Sequence, residues 1–327
     1  MLHTIPGSLR ALILGTLIAT APALALAQDW PAKPVRIIVP AGAGGSADPL
    51  ARLVAEQLSQ ALHQPFVVEN KPGANGNVGS VAAVRSAPDG YTLLFSWTGT
   101  LVPAITLYHA KPYHPQKDLD PIALIASVPN IIVTLPSLGI KTVDELTAYA
   151  RKNPGKLNFG STGSGSSYHL SGELYKKTLD VDMTHVPYSS PSAVFTDLIG
   201  GRLQLAFPGV TAAAPLVKDG QLQAVAVMAP KRSNVLPDVP TTAEQGQPTL
   251  LSETWFGLLA PSGTPPATVQ KINAAVNNAL QVADFRKKLA AMGFEPMGGT
   301  SAQFASTLDS DIKKWGEIVK FSGAKVD

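Results

Sequence analysis

Two loops of small residues are the parts of this sequence whose residue types and spacing suggest chemistry. The first loop, in IIVPAGAGGSADPLAR (37–52), matches the glycine fingerprint of dinucleotide-binding loops through Gly42, Gly44 and Ala47. Glu69, at the end of the next predicted strand, stands where a ribose-binding acid would lie. Such a loop offers unpaired backbone N–H groups at a helix N-terminus, which favours an anion. The sequence therefore predicts an anion site, for a pyrophosphate or for another anion.

The second loop, STGSGSS (161–167), is rich in serine and is followed closely by His169. One interpretation is an exported hydrolase that uses Ser166 or Ser167 as nucleophile with His169 as base. The segment does not match G-x-S-x-G in any register, so the nucleophile-elbow signature is absent. We favour a histidine that fixes the loop by hydrogen bonding, and we keep the hydrolase as an alternative.

Each loop lies within a predicted β-α-β-α-β unit, directly after a strand and before a helix. β-Branched and apolar runs indicate the strands, and apolar residues at steps of three and four indicate the helices. The first unit has strands at 35–39, 65–70 and 91–95 and helices at 49–62 and 78–86; the second has strands at 156–160, 183–188 and 203–207 and helices at 168–179 and 193–199. Ligands of open α/β sheets bind beyond the carboxyl ends of the strands. We therefore expect an α/β fold like that of periplasmic binding proteins, with two lobes, a central sheet flanked by helices in each, and both loops facing one cleft.

Composition excludes several classes of protein. The chain has 327 residues, of which 45% are hydrophobic and 15% charged, so a substantial core is expected. The net charge of +3 comes without a basic stripe, which argues against nucleic-acid binding. The absence of cysteine excludes disulfides and thiolate ligands, and the histidines lack metal-ligand spacing. We expect neither a metal nor a cofactor.

Residues 1–27 differ in composition from the rest of the chain. Arg10 is their only charged residue, an apolar run follows it, and Ala25–Ala27 has the small-x-small pattern of a signal-peptidase site. We predict a secretory signal, cleaved after Ala27, and a periplasmic protein. The lobe boundaries are predicted as 28–129 plus 252–327 for lobe 1 and 130–251 for lobe 2. The C-terminal helices, predicted at 265–280 and 302–319, return to lobe 1.

The predicted export of the protein helps to decide which anion the first loop binds. Exported compartments generally lack a free nicotinamide pool, Pro40 interrupts the passage from strand to loop, and the second unit lacks the fingerprint. A paired loop in each lobe fits a carboxylate held between helix N-termini better.

Several ordered motifs extend this picture to a known family. They are WPAKPVRIIVP (30–40), VENKPGANGNVG (68–79), APDGYTLL (87–94), NPGKLNFGSTGSGSSYHLSGEL (153–174), HVPY (185–188), LPDVPTTAEQG (236–246) and WFGLLAPSGTP (255–265). In these the chain resembles the periplasmic solute receptors of tripartite tricarboxylate transporters, the Bordetella uptake gene family. The resemblance implies a non-enzymatic protein whose lobes close on a small carboxylate and deliver it to the integral subunits of a membrane carrier. We expect a monomer, and a receptor that reports to a sensor is the alternative.

The resemblance also implies a set of ligand-binding residues. They are Ala41, Gly42, Ala43, Gly44, Gly45 and Ser46 in the first loop; Ser96, Trp97 and Thr98 after the third strand; Ser161, Thr162, Gly165, Ser166, Ser167 and His169 in and after the serine loop; Tyr188 and Ser189; and Pro208.

Two of these residues depart from the family pattern. Members often carry Phe at the place of Ala41 and Asp at the place of Pro208. Loss of that Asp disfavours an amino-acid ligand, and the space beside Ala41 favours a larger or aromatic carboxylate. Trp97 is then either a cleft residue or a packed core residue.

Overall fold

The computed structural model describes residues 30–43, 47–108 and 112–324. The predicted signal segment 1–27 and the predicted site residues Gly44, Gly45 and Ser46 lie outside the described residues. Among the helices described, none is long and apolar enough to span a bilayer.

The described residues form eleven strands and twelve α-helices. In chain order the strands are β1 (Val35–Val39), β2 (Phe66–Asn70), β3 (Thr92–Trp97), β4 (Leu119–Pro129), β5 (Ile131–Thr134), β6 (Asn158–Ser161), β7 (Thr184–Pro187), β8 (Leu205–Ala206), β9 (Gln223–Val227), β10 (Glu253–Pro261) and β11 (Glu295–Pro296). The helices are α1 (Ala47–Leu62), α2 (Asn77–Val84), α3 (Thr98–Leu101), α4 (Pro103–Thr106), α5 (Pro115–Asp118), α6 (Val143–Lys152), α7 (Ser167–Leu179), α8 (Pro191–Ile199), α9 (Val210–Lys218), α10 (Pro266–Ala279), α11 (Ala283–Ala291) and α12 (Ser301–Ser322).

The strands form two separate sheets, which define the two lobes. The six-stranded sheet of the first lobe has the order β11-β4-β10-β3-β1-β2, and the five-stranded sheet of the second lobe has the order β7-β6-β8-β5-β9. In the first lobe β1 is parallel to β2 and β3; in the second, β6 is parallel to β7 and β8. These parallel triplets are the two predicted β-α-β-α-β units, and both are confirmed. Carboxyl ends of parallel strands share one sheet edge, so each loop emerges at the edge where a ligand binds.

Hydrophobic burial explains why these segments adopt these elements. Val35, Ile37, Ile38 and Val39 of β1 are fully buried, as a strand covered on both faces requires. Helix α1 buries Leu50, Val54 and Leu58, which recur at helical spacing, against this sheet.

The chain passes between the lobes at two adjacent places. Asn130 separates β4 of the first sheet from β5 of the second, and Ser252 directly precedes β10 on the return. The Asn130 backbone N–H donates to the Ser252 carbonyl at 2.8 Å, and the Asn130 side chain donates to the Phe207 carbonyl at 2.7 Å. Both residues are buried, so the two connections form one hydrogen-bonded crossing. The lobe boundaries at 129/130 and 251/252 stay a prediction.

The last helix contacts both lobes. Near its start, Phe304 and Leu308 pack in a core with Trp255 of the first lobe; near its end, Trp315 and Ile318 pack in the core of the second lobe. The prediction that the C-terminal helices return to the first lobe agrees with the packing of α10 on α1 and β4 and of the first half of α12, whereas the second half of α12 packs on the second lobe. The crossing segment is also fixed by this helix, because Lys314 Nζ donates to the Leu251 carbonyl at 2.6 Å.

Candidate functional site

A cleft of about 490 Å³ lies between the two lobes. This volume is in the range of small-molecule sites. First-lobe residues on its wall are Ala41, Ala47, Asn75, Trp97, Gly99, Val128, Thr254 and Phe256; second-lobe residues are Thr162, Ser166, Ser167, Tyr168, Pro191, Gly209, Thr211 and Ala212. None of these described residues is Lys, Arg, Asp or Glu. The wall therefore offers a ligand dipoles and hydroxyls rather than side-chain charges.

Three helix N-termini of the second lobe reach the cleft wall. They are the starts of α7 at Ser166–Tyr168, of α8 at Pro191 and of α9 at Gly209–Ala212. The first-turn N–H groups of a helix lack intrahelical partners, and the helix dipole places partial positive charge there. None of the three helices has an acidic residue in its first turn, so no side chain offsets that positive charge. This wall is suited to a carboxylate.

Ser166 caps α7 and shapes the serine loop. Its hydroxyl accepts from the His169 backbone N–H at 3.4 Å, which is the hydrogen bond of an N-cap residue. Gly165, before it, has φ +81°, a conformation that glycine adopts freely. A Cβ at this position would lie 2.5 Å from Leu107 Cδ2, so the loop is held directly against the segment after α4.

Two histidines with closely spaced, tilted rings lie beneath the serine loop. His169 Nδ1 accepts from the Gly165 backbone N–H at 3.1 Å, and the rings of His169 and His185 are 3.9 Å apart. His185 Nε2 lies 2.5 Å from Ser161 Oγ, which also accepts from the Gly163 N–H at 3.1 Å. Each end of the loop is therefore tied to one imidazole ring.

Both imidazoles are held neutral. Burial, followed by the charge of its neighbour His185 and of Lys176, lowers the pKa of His169 to about 3. Burial, followed by the charge of Lys176, lowers the pKa of His185 to about 4. A neutral His169 can accept the Gly165 hydrogen bond, whereas a protonated ring would carry two donors and lose it.

This geometry separates His169 from the serines of the hydrolase hypothesis. Its Nδ1 is occupied by Gly165 and its Nε2 lies 3.9 Å from Glu173 Oε1, so neither nitrogen serves Ser166 or Ser167. The serine hydroxyl that meets a histidine is that of Ser161, which is fully buried.

The first-lobe wall is mostly apolar. Trp97 is half-buried, and its ring centroid lies 6.2 Å from that of Phe256. Phe256 in turn stacks on Phe95 at 6.1 Å. A Cβ on residue 99 would lie 3.3 Å from two indole atoms of Trp97, so Gly99 lets the indole lie against the backbone.

The first turn of α1 differs from the second-lobe termini because it holds an acid. Asp48 is buried and pairs with Arg52 at 3.0 Å. Arg52 also donates to Asn70 Oδ1, and the Asn70 amide donates to the Ala41 carbonyl at 3.2 Å. This chain of contacts fixes Ala41 at the cleft edge.

The structure brings only part of the predicted site to the cleft wall. Ala41, Trp97, Thr162, Ser166 and Ser167 line it. Gly42 and Ala43 are exposed next to Ala41, and Ser189 is exposed as well. Direct ligand contact by these residues stays a prediction.

The other described residues of the predicted set are not on the wall. Ser161 and Gly165 belong to the serine loop but contact His185 and Leu107 respectively, and His169 lies beneath the loop. Ser96 is fully buried and pairs with Gly257 of β10, where an added Cβ would meet Phe304 of α12. The Ser96 hydroxyl therefore points toward α12 and away from the sheet face that carries Trp97. The buried Thr98 hydroxyl accepts from the Trp255 N–H at 3.2 Å. The Tyr188 hydroxyl donates to Asp197 at 2.8 Å. The Pro208 carbonyl accepts from the Ile131 N–H at 2.8 Å.

Sequence reasoning missed the start of α9 and the aromatic partner of Trp97. Pro208-Gly209 after a strand is a turn signal, and it could have predicted a helix N-terminus at Val210. Phe256 had no such signal, because its place beside Trp97 arises from pairing between β10 and β3. Within the described ranges, no group of three or more His, Asp or Glu side chains is placed to hold a metal ion.

Comparison with known proteins agrees with this architecture. The family model described as "Tripartite tricarboxylate transporter family receptor" matches residues 50–324. BugT of Bordetella pertussis is 35% identical over 317 residues, which cover 96% of this chain and 97% of that protein. The solved structure of Rpa4515 from R. palustris with adipate has a TM-score of 0.78 and 35% identity, and covers 91% of this chain and all of that one. MatC from Rhodopseudomonas palustris with bound malate has a TM-score of 0.73 and 32% identity, and covers 88% of this chain and 99% of that one.

Proposed function

The chain belongs to the tripartite tricarboxylate transporter receptor family, and on that basis we propose that it is a periplasmic solute-binding protein for a small organic carboxylate. Its two lobes close on the ligand, and it delivers the ligand to the integral subunits of a membrane carrier. The protein carries out no catalysis.

The observation that carries this proposal is the interlobe cleft, whose wall is neutral and receives three helix N-termini. Backbone N–H groups and hydroxyls can hold a carboxylate without a cationic side chain. The adipate and malate in the two R. palustris structures are carboxylates, which supports the same ligand class here. The geometry argues against the serine hydrolase alternative, because both ring nitrogens of His169 face groups other than Ser166 and Ser167, and the serine hydroxyl that does meet a histidine, that of Ser161, is buried.

A thermal-shift screen of the purified protein tests the proposal. We expect stabilisation by at least one carboxylate from a panel of citrate, malate, adipate and benzoate, because a ligand at 1,000 times its Kd adds about 4 kcal/mol to stability. Replacing Thr162 with Val removes a wall hydroxyl at nearly constant shape and should reduce the shift. The matched variant Thr307→Val, at a half-buried position of α12 that does not line the cleft, should not reduce it. No response to any organic acid, together with a clear response to NAD, would overturn the proposal.

Delivery to a carrier is tested separately. Cross-linking of the ligand-loaded protein in its native membrane should capture integral carrier subunits, and capture of a sensor kinase instead would make the protein a signalling receptor.

A further inference from the structure

We propose that the ligand is a monocarboxylate with a flat aromatic body, bound with its carboxylate toward the second lobe and its ring against Trp97 of the first. This inference rests on the proposed carboxylate-binding function and adds the class and the orientation of the ligand. It follows from the unequal chemistry of the two walls of one cleft.

Aromatic packing on the first-lobe wall supports a flat ring. The Trp97 indole is half-buried on the cleft side and is backed by Phe256, at 6.2 Å between centroids and 39° between planes. Phe256 is itself fixed by Phe95 at 6.1 Å and by Phe294 at 5.4 Å. Aromatic rings prefer offset or edge-to-face contact with one another, so an indole held in this way offers a preformed partner for an aromatic ligand.

The other described residues of the first-lobe wall are mostly small or apolar. Ala41, Gly99 and Val128 line the cleft together with Trp97. Among the described residues, the polar side chains of this wall are Asn75, whose amide donates to the Gly99 carbonyl at 3.3 Å, and Thr254. The described part of the first-lobe wall therefore offers a ligand more apolar surface than hydrogen-bonding groups.

Electrostatics place the carboxylate at the opposite wall. The α1 terminus of the first lobe already holds the buried carboxylate of Asp48, which complements that helix dipole and is itself paired with Arg52 at 3.0 Å. The starts of α7 and α9 hold no acid and add the hydroxyls of Thr162, Ser166 and Thr211 nearby. A ligand with one carboxylate and one apolar end matches this asymmetry, whereas a dicarboxylate would direct its second charge at the apolar wall.

Calorimetric titration with matched ligands tests both parts of the inference. We expect benzoate to bind about fivefold to tenfold more tightly than cyclohexanecarboxylate, a ring of similar size without a π-face. We also expect 4-methylbenzoate to bind more tightly than terephthalate, which differs by a charged group at the far end. Tighter binding of terephthalate would overturn the orientation, and tighter binding of adipate or malate than of every aromatic acid would overturn the ligand class.

Variants of Trp97 separate specificity from folding. Trp97→Phe keeps an aromatic face and should retain most of the preference for benzoate over cyclohexanecarboxylate, whereas Trp97→Leu should abolish it. Trp97→Leu should change the affinity for adipate by less than about twofold, since adipate gains nothing from a π-face. If Trp97→Leu weakens all carboxylates equally, Trp97 is a packing residue and the inference fails. If no carboxylate of any class binds to the unmodified protein, the proposed function fails instead.

Discussion

The histidine pair beneath the serine loop makes a specific prediction for stability in acid. His169 is 2% exposed, and its pKa of about 3 in the folded chain lies below its ordinary value of 6.5. Between these two values the unfolded chain binds a proton that the folded chain does not, so the free energy of unfolding falls as pH falls. The contribution of His169 lost between pH 6.5 and pH 5 is about 2 kcal/mol, at about 1.4 kcal/mol for each pH unit.

Neighbouring charged groups must be separated from this effect. The pKa of His185 is also lowered, so His185 likewise makes the folded protein less stable as pH falls. Burial raises the pKa of Glu173, so Glu173 has the opposite effect on stability. Lys176 lies on the same helix and disfavours a charged ring. The effect of His169 is therefore measured as the difference between the unmodified protein and His169→Gln, whose amide oxygen can still accept from Gly165.

Urea denaturation at pH 7, 6 and 5 provides the assay. The unmodified protein should be more stable than His169→Gln at pH 7. This difference in the free energy of unfolding should decrease by about 2 kcal/mol between pH 7 and pH 5. Leu58→Ala, which opens a cavity in the first-lobe core and changes no titratable group, is the control and should show a difference independent of pH. A difference for His169→Gln that stays constant with pH would show that His169 is not held neutral by the fold.

Three further variants test packing and capping. Gly165→Ala should lower the free energy of unfolding by about 1–3 kcal/mol, because it strains a positive φ and brings a Cβ into contact with Leu107. Urea denaturation measures this loss, and an unchanged stability would mean that the serine loop does not contact Leu107. Trp255→Phe removes the indole N–H that donates to half-buried Asp311 at 2.5 Å and should cost about 1–3 kcal/mol at pH 7, with a smaller loss if Asp311→Asn is made in the same background. Thr142→Ala breaks the capping box of α6 and should lower the melting temperature through a loss of about 1 kcal/mol, whereas Thr142→Ser should restore most of it.

Much of the fold is predictable from local pattern. VRIIV has the β-branched run of a buried strand, and the apolar spacing after Pro49 predicts a helix whose observed start at Ala47 is only two residues earlier. The segment KTVDEL carries a Thr-x-x-Glu capping box, a signal that predicts the start of α6 without any tertiary information. These elements agree with prediction because their determinants are neighbours in the chain.

The cleft is less predictable, because its walls meet through non-local contacts. Phe256 reaches Trp97 only because β10 and β3 pair antiparallel, and no local pattern specifies that register. His169 was predicted both as a residue that fixes the loop and, by resemblance, as a ligand contact; the geometry places its ring behind the loop. Alternation along β3 assigns Ser96 and Trp97 to opposite faces, which the sequence alone could have indicated.

Calorimetric comparison of a carboxylate with its primary amide tests the central claim most directly. The claim is that a neutral cleft holds an anion through helix N-termini and hydroxyls, so charge must contribute to affinity although no cationic side chain lines the described wall. We predict that the tightest-binding acid of the panel binds at least tenfold more tightly than its amide at pH 7, where the acid is ionised. Equal affinity for the acid and its amide would contradict the account.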